Sequence, residues 1–435
     1  MSFFFALLFM ILVFWRPQEW LVPALFGVPL LNFVTGLSGV SFMVEYSAKR
    51  VSIPRDTPFF LLVLGLLAGA VMSHLSHLYF AAVIWTVEEV WKMCFFMALL
   101  FCVTDRPSRL KKIAWMFVVM ACVMSIHALM QQKYGYGFTY QPVLVSGRPG
   151  LDEPVSRSTF FGIFEDPNDL AQILGTAIPF AFALTRRGGL FSIVSGIGFS
   201  AYIVQAIAAT HSRGGQIAMV GVVAVMVMLL LPSRWLMVML FIGAMGGLVL
   251  CPFAGGSLDE SARERVAFWG DANWAFKNNV LFGVGFKMIG DYITGGRAAH
   301  NSFVLCYTEL GLFGYWFWIT TIVTGIVGAW RSRMALERSG SVDGRYVARF
   351  AGLAIAAMVG FLASAYFLSR AYVYPLFFLM VTLGAVPVIA RRYLPDDHKP
   401  LVCSWRETFV YGTSTTLISI VYVYISIILI NKLGR

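Results

Sequence analysis

The feature that most constrains this chain is a succession of apolar runs. Each is close to the length of a bilayer crossing and is bounded by charge or proline. They fall at 2–15, 20–44, 58–76, 78–104, 112–132, 166–185, 190–209, 214–231, 235–253, 302–330, 347–369, 371–391 and 408–431. A segment inside lipid must satisfy its own backbone hydrogen bonds, so runs of this kind form helices. The expected fold is therefore all-α, a polytopic transmembrane helical bundle of about 12–13 spans. Composition removes the alternatives. Charged residues make up 13% of the chain, against roughly a quarter in a soluble domain. An aromatic content of 15%, with 40 glycines that follow no period, excludes disorder and collagen. Met1 to Trp15 has no basic leader and no small-residue cleavage site, so it is read as a retained first span.

The net charge of +11 does not point to nucleic acid, because the basic residues are not gathered in a soluble lobe. They alternate between connections instead. One set holds Lys49, Arg50 and Arg55; Arg106, Arg109, Lys111 and Lys112; Arg186 and Arg187; Arg331 and Arg333; Arg391 and Arg392. The positive-inside bias makes this set cytoplasmic. The opposite connections, the outer face, include two long segments, 133–165 and 252–301. Long loops in a compact membrane protein are usually functional. The chain divides into N-terminal spans (1–132), a first outer loop (133–165), spans carrying Ser212-Arg213-Gly214 (166–253), a long outer catalytic loop (254–301) and C-terminal spans (302–435). Glu260 to Asn278 has helical periodicity and is expected along the membrane interface.

Several residues in these loops carry chemistry. Arg213 follows Thr210-His211-Ser212, and Arg263 and Arg265 precede Trp269. A guanidinium binds phosphate with two parallel hydrogen bonds. Headgroup snorkelling is the ordinary explanation for one such arginine; Arg213 and Arg265 together, beside Gly- and Trp-rich loops, point to an anion. His300 follows Gly295-Gly296-Arg297 and precedes Asn301-Ser302 at a helix start. Imidazole is the side chain best suited to move a proton near neutral pH, while Asn301 and Ser302 also read as helix caps. In Glu165-Asp166-Pro167-Asn168-Asp169, Asp166 and Pro167 suit a helix start, which leaves Asn168 and Asp169 to be explained. No His, Cys, Asp or Glu set has metal-ligand spacing, so neither metal nor cofactor is expected; Asp166 with Asp169, or Glu19, would be the fallback. The six cysteines have no redox spacing, and a Cys251–Cys306 disulfide is the one conceivable pair. Glu88, Glu89 and Lys92 share one apolar run; Glu88 and Lys92, four residues apart, are expected to pair with each other or the group to brace helices, with a proton or substrate path as the alternative.

Taken in order, Phe164-Glu165-Asp166-Pro167-Asn168-Asp169, Ser212-Arg213-Gly214, Arg265 with Trp269 and Asn279 to Gly285, and His300-Asn301-Ser302 with Glu309-Leu310-Gly311 are familiar. The chain resembles the O-antigen ligase and Wzy-type polymerase superfamily over roughly 160–315. The resemblance implies a metal-independent, inverting, GT-C-like membrane glycosyltransferase of the bacterial inner membrane, with its site on the periplasmic side. Its donor would be a glycan on undecaprenyl diphosphate, and its acceptor a hydroxyl of lipid A-core or another envelope glycan or lipid. By the same resemblance Arg213 and Arg265 hold the diphosphate and His300 acts on the acceptor hydroxyl. Arg263, Asn301, Ser212, Asn168, Asp169, Trp269 and Arg297 are the accompanying substrate-binding candidates. A ligase is the preferred reading, a polymerase the alternative, and a lipid-linked glycan or small-solute transporter the remote one.

Overall fold

The structure, a computed structural model, describes residues 1–25, 27–146, 154–229, 243, 260–396 and 398–433. It is a helical bundle. The helices are α1 (Ser2–Trp15), α2 (Pro17–Trp20), α3 (Leu30–Ser47), α4 (Phe59–Leu75), α5 (Phe80–Val103), α6 (Pro107–Tyr134), α7 (Pro167–Ala181), α8 (Leu190–Ala209) and α9 (Arg213–Met228). After them come α10 (Glu260–Asn278), α11 (Ser302–Leu336), α12 (Val342–Ala365), α13 (Tyr374–Ala390) and α14 (Trp405–Leu433). Six described segments are long and apolar enough to cross a membrane: Pro107–Tyr134, Leu190–Ala209, Ser302–Leu336, Val342–Ala365, Tyr374–Tyr393 and Trp405–Ile430. The higher count expected from sequence includes shorter apolar helices, such as Ser2–Trp15, Phe59–Leu75 and Arg213–Met228. It also includes α5, which carries Glu88, Glu89 and Lys92. The run 235–253 and Cys251 lie outside the described residues apart from Gly243, and Cys306 is a buried free thiol within α11.

Two sequence expectations change. The run 20–44 does not start as a helix at Trp20: α3 begins at Leu30. Pro23 and Pro29 lack the amide donor a helix needs, and Gly27 takes φ 81. Within 133–165, Leu144–Ser146 (β1) and Val155–Arg157 (β2) pair as an antiparallel hairpin. Glu88 and Lys92 form no ion pair among the described residues; Glu89 instead bonds Lys287 of the long loop. A charge pointing at apolar surroundings takes the nearest opposite charge from any element, not only from its own helix.

One packing feature positions the site. Helix α11 is interrupted at Gly311, which takes φ 63 and ψ −173. The freed backbone groups are met by the segment after α10. Val284 N–H donates to Thr308 O at 2.9 Å, and Gly285 N–H to Glu309 O at 3.1 Å. In return, Leu312 N–H donates to Val280 O at 2.8 Å and Phe313 N–H to Leu281 O at 3.0 Å. The approach demands glycine on both sides. A Cβ on Gly283 would lie 2.3 Å from Glu309 O, and one on Gly311 would lie 2.4 Å from Leu281 backbone. Broken helices of this kind are stable in a bundle only when protein pairs the loose groups. The C-terminal end of α4 clamps the same segment: His74 Nε2 lies 3.1 Å from Phe286 O, His77 Nε2 2.8 Å from Gly283 O, and Ser73 Oγ accepts from Phe286 N–H at 2.9 Å. The loop that ends at His300 is thereby fixed at its base.

Candidate functional site

The site lies at one end of the bundle, where α7, α9 and α11 begin and α8 and α12 end. The first of these starts is tied to the second through side chains. Asp166 caps α7 by accepting from Asn168 N–H at 2.7 Å. Ser212 caps α9 by accepting from Gly215 N–H at 3.0 Å, and its hydroxyl donates to Asn168 Oδ1 at 2.7 Å. Arg157 of β2 reaches the same Oδ1 at 3.2 Å and donates to Thr210 O at 3.1 Å. Gly215 allows this closeness, since a Cβ there would lie 2.3 Å from Ala171 Cβ. Arg213 is the first residue of α9, adjacent to this knot, and is exposed.

The third start is tied to the first. Asp169 is 4% exposed and holds Arg370 with both carboxylate oxygens, Arg370 Nε donating to Oδ1 at 2.6 Å and a terminal nitrogen to Oδ2. Arg370 N–H in turn donates to Ser302 Oγ at 2.8 Å, and that hydroxyl donates to Leu368 O at 2.6 Å. Asn301 caps α11 by accepting from Phe303 and Val304 N–H at 2.9 and 3.1 Å. Its Nδ2, fully buried, meets no acceptor among the described residues.

His300 occupies the turn ahead of this cap. Its backbone is left-handed, with φ 50. That conformation is costly for most L residues and somewhat more accessible to His than to a β-branched residue. It lets the chain turn from the loop into an extended Asn301 (φ −156, ψ 118) and then directly into the helix. The imidazole lies half-buried, with the Phe268 ring centroid 6.4 Å away. Burial holds its pKa below the ordinary histidine value, and the charges of Arg265, Arg297 and Arg370 push the same way while Asp166 opposes them. A positive environment around a ring kept neutral suits proton acceptance and attracts an anion. Among the described residues no hydrogen bond engages the ring.

Residues 198–319 match the family described as O-antigen ligase. Over this segment the chain is similar to that family. No curated protein matches it. The matched segment contains Ser212, Arg213, Arg265, Trp269, Arg297, His300 and Asn301, and also the Gly283–Gly311 crossing that fixes the long loop. The chain carries several helices long and apolar enough to cross a membrane, and its 198–319 segment is similar to a glycan-handling family.

Within this site the sequence candidates sort by exposure. Arg213 and Arg297 are exposed, and Arg265 is half-buried at the electrostatic reach of His300. Trp269 is 1% exposed and donates its indole N–H to Ala299 O at 2.8 Å. It steadies the strand before His300 from behind and presents no open ring face. Ser212, Asp169 and Asn301 are likewise buried and hold backbone or other side chains. The Arg263 side chain lies outside the described residues. Sequence reading missed Arg370 and Arg157. Arg370 stands in Ser369-Arg370-Ala371-Tyr372, between two apolar runs, and only its fit to Asp169 brings it to the site. Glu19, the fallback metal ligand, is bonded by Arg16 at 2.7 Å.

Proposed function

We propose that this protein is a metal-independent, inverting membrane glycosyltransferase that moves a glycan from undecaprenyl diphosphate to an acceptor hydroxyl on the periplasmic face of the inner membrane. The observation that carries this reading is a half-buried His300 in a left-handed turn directly ahead of the Asn301 cap, where Arg265, Arg297, Arg370 and Asp166 all act on it by charge. Arg213 and Arg265 bind the diphosphate through forked bonds. The acceptor oxygen attacks the anomeric carbon while its proton passes to the His300 imidazole. The bond from that carbon to the diphosphate oxygen breaks, its electron pair leaves with undecaprenyl diphosphate, and the configuration inverts. Because diphosphate is a competent leaving group, the protein has only to stabilise developing negative charge and to raise the nucleophilicity of a hydroxyl. Asp169, Arg370, Ser302 and Asn301 hold the His300 turn in register.

The test is transfer by purified protein from a lipid-diphosphate-linked repeat, with and without lipid A-core, the products being sized. A single glycan added to lipid A-core, in the presence of EDTA, is the expected result. Lengthening of lipid-linked repeats with no need of lipid A-core would make the protein a polymerase. Loss of activity in EDTA, restored by Mg²⁺, would overturn the metal-independent reading.

A further inference from the structure

Beside the arginine-rich face the described residues enclose a cavity of about 420 Å³. That is within the range of about 300–1,000 Å³ usual for small-molecule sites. Its polar lining is Glu165, Asp166, Asp169, Gln172 and Arg370, set against apolar wall from residues such as Phe164. The balance of charge is unlike the rest of the molecule. Three carboxylates face one guanidinium, and Arg370 is already held by Asp169 through two bonds. In a chain of net charge +11, this is a negative pocket next to a positive face.

His300 is two residues ahead of Ser302, whose hydroxyl accepts from the cavity residue Arg370 at 2.8 Å. Asp166 and Arg370, which line the cavity, and Arg265 and Arg297, which do not, all act on His300 by charge. A diphosphate is drawn to the arginine side and repelled by Glu165 and Asp166. The cavity instead fits a group that donates hydrogen bonds and carries no negative charge. Sugar hydroxyls donate to carboxylates, and the C–H face of a sugar ring packs on apolar wall. Glu165 is exposed and forms no ion pair among the described residues, so its carboxylate is open to a ligand.

We infer that this cavity is the acceptor subsite, that it takes a neutral hydroxyl-bearing sugar terminus in preference to a phosphorylated one, and that Glu165 sets this preference. The inference rests on the transfer reading above. Segregation of charge separates the two substrates: the donor's diphosphate lies over the arginines, the acceptor's hydroxyl lies over the carboxylates, and His300 is within reach of the hydroxyl.

The experiment uses the full chain, the lipid-diphosphate-linked donor, and two acceptor probes, octyl β-D-glucopyranoside and its 6-phosphate. Each is supplied as sole acceptor and as competitor. The neutral probe should be used, or should compete, at a concentration at least tenfold lower than the phosphorylated one. Glu165→Gln should narrow that ratio several-fold, and Glu165→Lys should reverse it, with the donor KM unchanged in both. Glu165→Gln keeps size and exposure, so a folded variant is available for the comparison. Equal use of the two probes by the unaltered protein, or an unchanged ratio in Glu165→Lys, overturns the inference while leaving transfer intact. Competition by neither probe, with donor turnover still present, also overturns it. Failure to cleave the donor with any acceptor removes the transfer reading and this inference together.

Discussion

The two ends of the bundle use arginine differently. At the end away from the site, guanidinium groups close the structure. Arg331 bonds Glu407 at 2.5 Å, and Arg391 bonds Asp56 at 3.0 Å. Arg186 pairs with Asp343, Arg349 reaches Thr185 O, and Arg109 donates to Val103 O at 2.6 Å. These link helix ends to neighbouring helices or finish a helix terminus. At the site end, Arg370 and Arg157 serve in the same way, one on Asp169 and one on Asn168 and Thr210. Arg213 and Arg297 are exposed there, and Arg265 acts on His300 through its charge. The difference teaches that arginine at the far end works by joining helices, whereas at the site end it also sets the charge felt by His300.

The largest expected effect separates the ends directly. Arg213→Lys and Arg265→Lys keep charge and lose the forked geometry, so transfer should fall by about 10²–10³, the usual cost of removing one transition-state donor. Arg331→Lys at the far end keeps the charge that meets Glu407 in a part-buried pair remote from the site, so turnover should stay within about twofold. Comparable losses at both ends, measured as initial rates in detergent, would erase the distinction.

Next in size is His300. His300→Gln keeps a hydrogen-bonding side chain but cannot take a proton, and turnover should fall by about 10²–10⁴ with donor binding retained. In the unaltered protein burial and the neighbouring arginines lower the imidazole's pKa. The acid limb of the activity profile should therefore lie below the ordinary histidine midpoint of about pH 6.5. Arg297→Gln removes one of the charges that disfavour the imidazolium, so the acid limb of the profile should move upward. A limb that stays in place would show that the site's positive charge does not act on His300.

A smaller effect is expected in stability. Asp169→Asn keeps shape but leaves Arg370 without its charged partner. A broken buried pair costs about 3–5 kcal/mol; because the Arg370 side chain is 40% exposed, about 3 kcal/mol is expected, read as a lowered unfolding midpoint. The smallest effect belongs to Arg391→Gln. Its pair with Asp56 is open to solvent, so the cost should be at most about 1 kcal/mol with unchanged turnover. If the two substitutions cost the same, burial is not what distinguishes the fastened arginines.

Much of this organisation can be read from the chain. Apolar runs placed most helices within a few residues, because lipid-facing and core-facing helices both need continuous apolar stretches. The caps Asp166 and Asn301 were legible for a similar local reason: each must meet amides two or three residues away; the Ser212 cap was not read from the sequence. The resemblance also pointed to Glu309-Leu310-Gly311 and to Asn279 to Gly285, but not to why they occur together. The structure supplies that reason in the backbone pairing across Gly283 and Gly311.

What the sequence by itself determined was what depends on neighbours along the chain: most span positions, several helix starts, and which residue types are chemically able to meet an anion or take a proton. What only the tertiary structure decided was what depends on neighbours across it. Arg370 meets Asp169 over 201 positions, and Lys287 takes Glu89 over 198. Trp269 turns inward to hold Ala299 rather than outward to a ligand. Charge acts through space and burial depends on packing, so neither the partner of a guanidinium nor the side of a tryptophan that is covered can be read from spacing. The negative cavity next to the arginines is of the same kind, because its walls come from α7, the hairpin and the turn after α12, which are brought together only when the helices pack.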